Sequence, residues 1–185
     1  MKKNIFITML TLVLCLFMIV PALAEGENTG DGFADEYYRL LDMASLLSDE
    51  DVDSLTARLD ELSLRQKMDV VIATTNTLEG KSVVAYADDL YDYCSFGYGA
   101  NRDGLILVIS MEDNDWYIST CGYGITAFTD AGIKYIGEQI VPYLSDKDFA
   151  GAFATYITLC DEFITQARTG KPYDIGSLPR KPLSP

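Results

Sequence analysis

Asn101, Asp103 and Asp130, together with the glycines Gly122 and Gly124 that lie between them in the chain, are the residues best suited to hold a ligand. Carboxylates and amide carbonyls are the oxygen donors that calcium and magnesium take. A hard cation between Asp103 and Asp130 would also relieve the repulsion of two carboxylates brought together. The same residues admit a simpler reading, in which Asp103 fixes a turn into a strand and Asp130 or Thr129 caps a helix. Spacing alone leaves both open.

Other chemistries are excluded by residue type. The chain has no histidine, which removes Ser-His-Asp hydrolysis, histidine-based phosphatase chemistry and the usual histidine-rich zinc or iron sites. The glycine-rich pieces do not match GxxxxGK[ST], and neither leads from a strand into a helix as GxGxxG requires. Asp113-Asn114-Asp115 resembles the start of a calcium loop but lacks the glycine and distal glutamate of an EF-hand, so it reads as a hairpin turn.

The elements that must position these residues centre on 101–130. Residues 105–109 form an unbroken apolar run, the pattern of a strand covered on both faces. Residues 116–121 alternate, with Trp116, Ile118 and Thr120 on one face and Tyr117, Ser119 and Cys121 on the other. A turn over 111–115 pairs Ser110 with Trp116 and sets Gly104 opposite Gly122. Asp103 then meets Gly122-Tyr123-Gly124 across the open end, while Asp113 and Asp115 lie roughly 20 Å away.

Upstream, residues 37–41 read as a short strand or ordered lead-in. Ser48-Asp49-Glu50-Asp51 resembles a capping box, and Val52, Leu55, Leu59 and Leu62 at helical spacing predict a helix to about Arg65. A strand over 68–75 and a helix over 82–94 complete a βαβ unit with the strand at Leu105, so these strands should be parallel with a right-handed crossover. In the loop 95–103, Gly97, Gly99 and Asn101 suit positive φ. Downstream, a helix from Asp130 should kink or end at Pro142, and a last helix over 146–168 should be the main lid of the sheet. Parallel α/β sheets usually take ligands beyond the carboxyl ends of their strands. That rule points to 74–77 and Asp113, the opposite end from Asp103.

Lys2 and Lys3 before an apolar run, with Ala22-Leu23-Ala24 before Glu25, predict a secretory signal over 1–24. An uncleaved signal anchor is the alternative, and it is the only route to the membrane expected. Cleavage leaves 12 Lys and Arg against 28 Asp and Glu, a net charge of −16. Such a surface repels nucleic acid and anionic lipid and favours cations and basic partners. Residues 25–36 read as a flexible leader and 169–185 as a proline-punctuated tail. Cys94, Cys121 and Cys160 remain, an odd number without CxxC spacing, and read as buried small hydrophobes, a single bridge remaining open.

Taken in order, several pieces resemble the TPM domain, a family of exported or membrane-tethered proteins that includes thylakoid repair proteins. They are residues 41–48 (LDMASLLS), the strand at 68–73, Tyr86-Ala87, Phe96-Gly97, residues 103–108 (DGLILV), Cys121-Gly122-Tyr123-Gly124, Phe128-Thr129-Asp130 and Ile140-Val141-Pro142. Together they span about 37–168. The resemblance implies an α/β domain built as a three-layer α/β/α sandwich. Its small mixed sheet, a βαβ unit plus an antiparallel hairpin, would be flanked by about four helices. It further implies a Ca2+ or Mg2+ site at acidic loops, with Asp42, Asp103 and Asp130 at the matching positions, and a phosphatase activity in some members. Family members often carry Glu shortly after the GYG, where this chain has Ile125-Thr126. Two functions are therefore expected: an extracytoplasmic cation-binding module for envelope assembly or repair, with an envelope protein as partner, or a metal-assisted phosphomonoester hydrolase.

Overall fold

The hydrophobic alternation of the central strands decides the layers. In the computed structural model, which describes residues 38–180, these fall within the compact unit Phe33–Pro185. The signal, the leader and the end of the tail predicted from sequence lie outside the described residues. Four strands, β1 (Leu40–Asp42), β2 (Asp69–Thr75), β3 (Gly104–Ser110) and β4 (Asp115–Cys121), form one sheet in the order β1-β2-β3-β4. The first three are mutually parallel and β4 returns antiparallel to β3. Five helices accompany them: α1 (Asp49–Gln66), α2 (Val83–Tyr93), α3 (Gly124–Ala127), α4 (Asp130–Ser145) and α5 (Phe149–Ala167).

Period-2 alternation sends Val70, Ile72, Leu105, Leu107, Ile109 and Ile118 to one face, where α1, α4 and α5 bury them. Val71, Ala73, Ile106 and Val108 face the other way, onto α2 through Val83, Ala87 and Tyr91. This is the α/β/α sandwich, with α1, α4, α5 and the single turn α3 on one side of the sheet and α2 on the other. Helix α5 carries Phe153, Tyr156, Ile157, Cys160, Phe163 and Ile164 into the larger core, as its spacing predicts. Burial pushes the Cys160 thiol far up, so it is an inert packing group.

Helix starts follow local chemistry. The Ser48 hydroxyl accepts from Asp51 N–H, the first bond of that motif, and donates to the Asp51 carboxylate in place of the Ser48 backbone N–H. Ser82, Thr129 and Asp148 cap α2, α4 and α5 in the same way.

Four expectations are corrected. The β3–β4 register is one residue off: Ser110 pairs Asp115 and Gly104 pairs Cys121. A one-residue slip moves side chains across the sheet, and only the observed register puts Trp116 and Ile118 on the face of Ile109 and Leu107. There the Trp116 ring rests on α4 at Gly137, where a Cβ would stand 2.6 Å from Trp116 Cζ2. The turn is accordingly one residue shorter, with Asn114 at φ 48°. Pro142 does not end its helix: α4 continues three residues further, to Ser145. In the loop 95–103 the positive φ values fall on Ser95, Gly97, Gly99 and Arg102, not on Asn101. The tail is also tied down at its start: Tyr173 packs on Phe163 at 4.9 Å, and its carbonyl accepts from the Thr129 hydroxyl.

Candidate functional site

The polar end of the sheet is built around two aspartates that do different work. Asp69 opens β2 and is buried. Its Oδ1 accepts from Arg39 Nε at 2.6 Å and its Oδ2 from Gly97 N–H at 2.9 Å, while Arg39 Nη1 reaches Asp60 at 2.6 Å. Burial works against the Arg39 charge, but the two carboxylates hold its pKa above the ordinary guanidinium value. This buried pair pins the loop 95–103 to the amino end of β2. The loop is closed on itself by the mutual Tyr98–Asp103 backbone bonds, and Arg102 folds back to Asp92 and the carbonyls of Tyr91 and Phe96.

Asp103 is thereby presented, half-buried, at the mouth of the hairpin. Tyr123 N–H donates to its Oδ1 at 2.7 Å, which ties the end of β4 to the start of β3. Gly122 makes this approach possible. It adopts φ +55°, and a Cβ there would stand 2.7 Å from the Asn101 carbonyl oxygen and closer still to Asp103 Oδ1. Gly124 is needed for the same reason, since a Cβ would run into the Gly104 carbonyl. Two oxygens of the kind hard cations take therefore converge beside Gly122.

The cleft in front of them has a volume of about 790 Å³ and is lined by Lys67, Tyr98, Gly99, Ala100, Asn101, Asp103, Gly122, Tyr123 and Arg168. Asn101, Asp103 and Gly122 are thus brought together as the sequence predicts, with Gly124 immediately behind them. The other two acids are elsewhere. Asp42 pairs in register with Thr74, five residues along β2 from the Asp69–Gly104 pair, so it lies roughly 16 Å away at the opposite end of the sheet. Its carboxylate is spent on Leu46 N–H, Leu47 N–H and the Thr74 hydroxyl. Asp130 is the exposed first residue of α4, outside the lining of the cleft, and Thr129 rather than Asp130 makes the cap. The expected trio Asp42, Asp103, Asp130 is therefore not one site. Among the described residues no three His, Cys, Asp or Glu side chains group as a metal cage.

Sequence reasoning missed Lys67 and Arg168. Lys67 is the C-cap of α1 in the left-handed conformation, φ 48°. Arg168 follows α5, hydrogen-bonds the Gln66 carbonyl and side-chain oxygens, and lies over the Tyr123 ring at 5.4 Å. A lysine at a left-handed cap directly before a strand is the one local signal; Arg168 reaches the cleft only through the α1–α5 packing.

At the other end of the sheet a smaller groove of about 380 Å³ runs between the 110–116 turn and α4, with Met111, Trp116, Val141, Leu144 and Phe149 in its lining. Asp113 there is committed to the Ser110 hydroxyl and Leu78 N–H. No helix among the described residues is long and apolar enough to cross a membrane.

Fold and cleft together define a small three-layer α/β domain whose polar cavity lies at the amino ends of its parallel strands. The model of the TPM domain matches residues 40–163, and the chain belongs to that family. It is similar to the UPF0603 protein YdjH of Bacillus subtilis (strain 168), 26% identical over 147 residues, which cover 80% of this chain and 55% of that protein. The chain thus spans about half the length of this curated relative. Among solved structures, the N-terminal domain of a protein from P. gingivalis superposes with a TM-score of 0.61 at 17% identity, over 76% of this chain and 90% of that one. The BA42 protein of Bizionia argentinensis gives 0.57 at 13% identity, over 74% and 91%. The N-terminal domain of the cg2496 protein of Corynebacterium glutamicum gives 0.53 at 16%, over 80% and 93%. These likenesses concern the fold.

Proposed function

We propose that the domain is an extracytoplasmic binding module of the cell envelope whose site is the cleft at Asp103, and that Ca2+ or Mg2+ takes part in that binding. The observation that carries this reading is the convergence of Asp103 and the Asn101 carbonyl on Gly122 at the mouth of an open cleft. One carboxylate and one carbonyl do not make a closed calcium cage. They fit a cation held partly by protein and partly by the ligand's own oxygens, the usual arrangement for magnesium. Location outside the cytoplasm rests on the residues 1–24 pattern, and an envelope protein is the partner class this favours.

Hydrolysis of a phosphomonoester is the less favoured reading. The cleft contains no Ser, Thr or Cys side chain, and its one carboxylate already accepts the Tyr123 N–H. A bound cation would supply Lewis-acid polarisation and an activated water, but Asp103 is the single carboxylate in the lining.

The test is a thermal-shift titration with CaCl2 and MgCl2 at constant ionic strength, run on the wild type and on Asp103→Asn, with a phosphomonoester turnover assay in parallel. A cation-dependent rise in the wild type of about 2–4 °C per kcal/mol of binding, abolished in the variant and unaccompanied by turnover, is expected. An equal rise in both proteins, as an acidic surface alone would give, overturns the cation reading. Turnover lost in Asp103→Asn overturns the non-catalytic one.

A further inference from the structure

We infer that the Asp103 cleft contains an oxyanion subsite formed by Lys67 and Arg168, so that the group recognised there is a carboxylate or a phosphate. This rests on the reading that the cleft is the binding site and adds the class of ligand.

The chain carries 28 acids against 14 bases, and three arginines of the domain are spent on carboxylates: Arg39 on Asp60 and Asp69, Arg65 on Asp161, Arg102 on Asp92. Lys67 and Arg168 are the two basic residues that line the cleft. Among the described residues neither makes an ion pair, yet both line the same cavity. Two cations against the single carboxylate of Asp103 give the cleft a net positive lining in an otherwise acidic protein.

The second point is orientation. Arg168 gives Nε and Nη2 to Gln66 oxygens and lays its guanidinium against the Tyr123 ring. With three atoms of contact fixed, Nη1 is the end left for a ligand. A pre-placed guanidinium loses little freedom on binding, and its planar fork suits carboxylate and phosphate oxygens. Lys67 adjoins Gln66 in the chain, so the residue that holds Arg168 also places the second cation. Lys67 takes the left-handed conformation of the α1 C-cap, its N–H donating to the Ser63 carbonyl, which fixes its backbone at the edge of the cleft.

The third point is complementarity within the cleft. Asp103 and the Asn101 carbonyl face the same space with acceptors. A ligand carrying an oxyanion would meet Lys67 and Arg168 with that group, and either a donor or an accompanying divalent cation would satisfy the acceptor side. The arrangement explains how an acidic domain could select an anionic partner that its net charge repels.

Isothermal titration and backbone amide NMR on the whole protein, with inorganic phosphate and with succinate as probes and no divalent cation present, test this directly. Binding of at least one probe is expected, with amide shifts at Lys67, Ala100 and Tyr123. It should weaken about tenfold or more in Lys67→Gln, as loss of a charge-assisted hydrogen bond implies. Lys67 is exposed and unpaired, so this variant folds as the wild type does; Arg168→Lys, which keeps charge but not the fork, should weaken binding without abolishing it. Preference for phosphate or for succinate identifies which oxyanion the site takes. Failure of both probes to bind, or binding unchanged in Lys67→Gln, overturns the subsite. Titrating the wild type with each probe, with and without MgCl2, separates the two claims: cation-free probe binding without a cation-dependent Tm rise keeps the subsite and removes the cation reading.

Discussion

At the scale of single residues, the cleft depends on groups that never touch it. Asp69 and Arg39 are a buried ion pair whose carboxylate also receives Gly97 N–H, so removing the Asp69 charge leaves the buried Arg39 only the partly exposed Asp60 and frees the loop carrying Asn101. Asp69→Asn should cost about 3–5 kcal/mol in urea unfolding, and replacement of both partners by apolar residues of similar size should recover most of it. Gly122→Ala is a second residue-scale prediction. The substitution puts a methyl against Asp103 and Asn101 at a positive φ, and a loss of about 1–3 kcal/mol is expected in the same measurement. Because the clash displaces Asp103 Oδ1, the cation-dependent Tm rise should disappear with it.

At the scale of elements, α1 and α5 are clasped at the back of the cleft. Arg65 forms a two-pronged bond to Asp161 at 3.0 Å in each arm, and Gln66 adds a third at 2.7 Å. The Arg65 hydrogen bonds hold the Asp161 carboxyl below its usual range, partial burial opposing them. A depressed carboxylate adds stability above its unfolded value, about pH 4, and loses it as pH falls through the folded value. The pair is partly exposed, so the contribution is roughly 0.3–1 kcal/mol. Asp161→Asn should accordingly lower stability at pH 7 by that amount and show a smaller loss between pH 5 and 3. Chemical denaturation across pH checks both. The elements themselves were legible in the sequence because their signals are local: Ser48 as a cap, the apolar run at 105–109, the inward residues of α5 at helical spacing. The β4 register was not, since it is fixed by the Trp116–Gly137 contact between distant segments. Nor was α3, a single turn whose only sequence mark is the glycine that lets it approach β3.

At the scale of the whole molecule, the site was half legible. Asp103, Asn101 and Gly122 could be placed together because a hairpin brings its own ends into proximity. Asp42 could not be separated from them without knowing that β1 runs parallel to β2 and ends at the far edge. Lys67 and Arg168 stayed hidden for the converse reason, as they meet only when α1 and α5 pack side by side. The sandwich thus has two polar ends with different characters. The carboxyl ends of the strands hold Asp42 and Asp113 in closed hydrogen-bond networks, while the amino ends leave an open cleft with opposed charges. That contrast is why the binding site is assigned against the usual preference of parallel sheets for their carboxyl ends.

The assignment is tested most directly by mapping amide chemical-shift changes over the whole protein as CaCl2 and inorganic phosphate are added together. The account predicts that the largest changes fall on Lys67, Tyr98 to Asp103, Gly122 and Tyr123, and that they shrink in Lys67→Gln and in Asp103→Asn. Changes concentrated on Asp42 to Leu47, Thr74 and Asp113 would contradict it and move the site to the other end of the sheet.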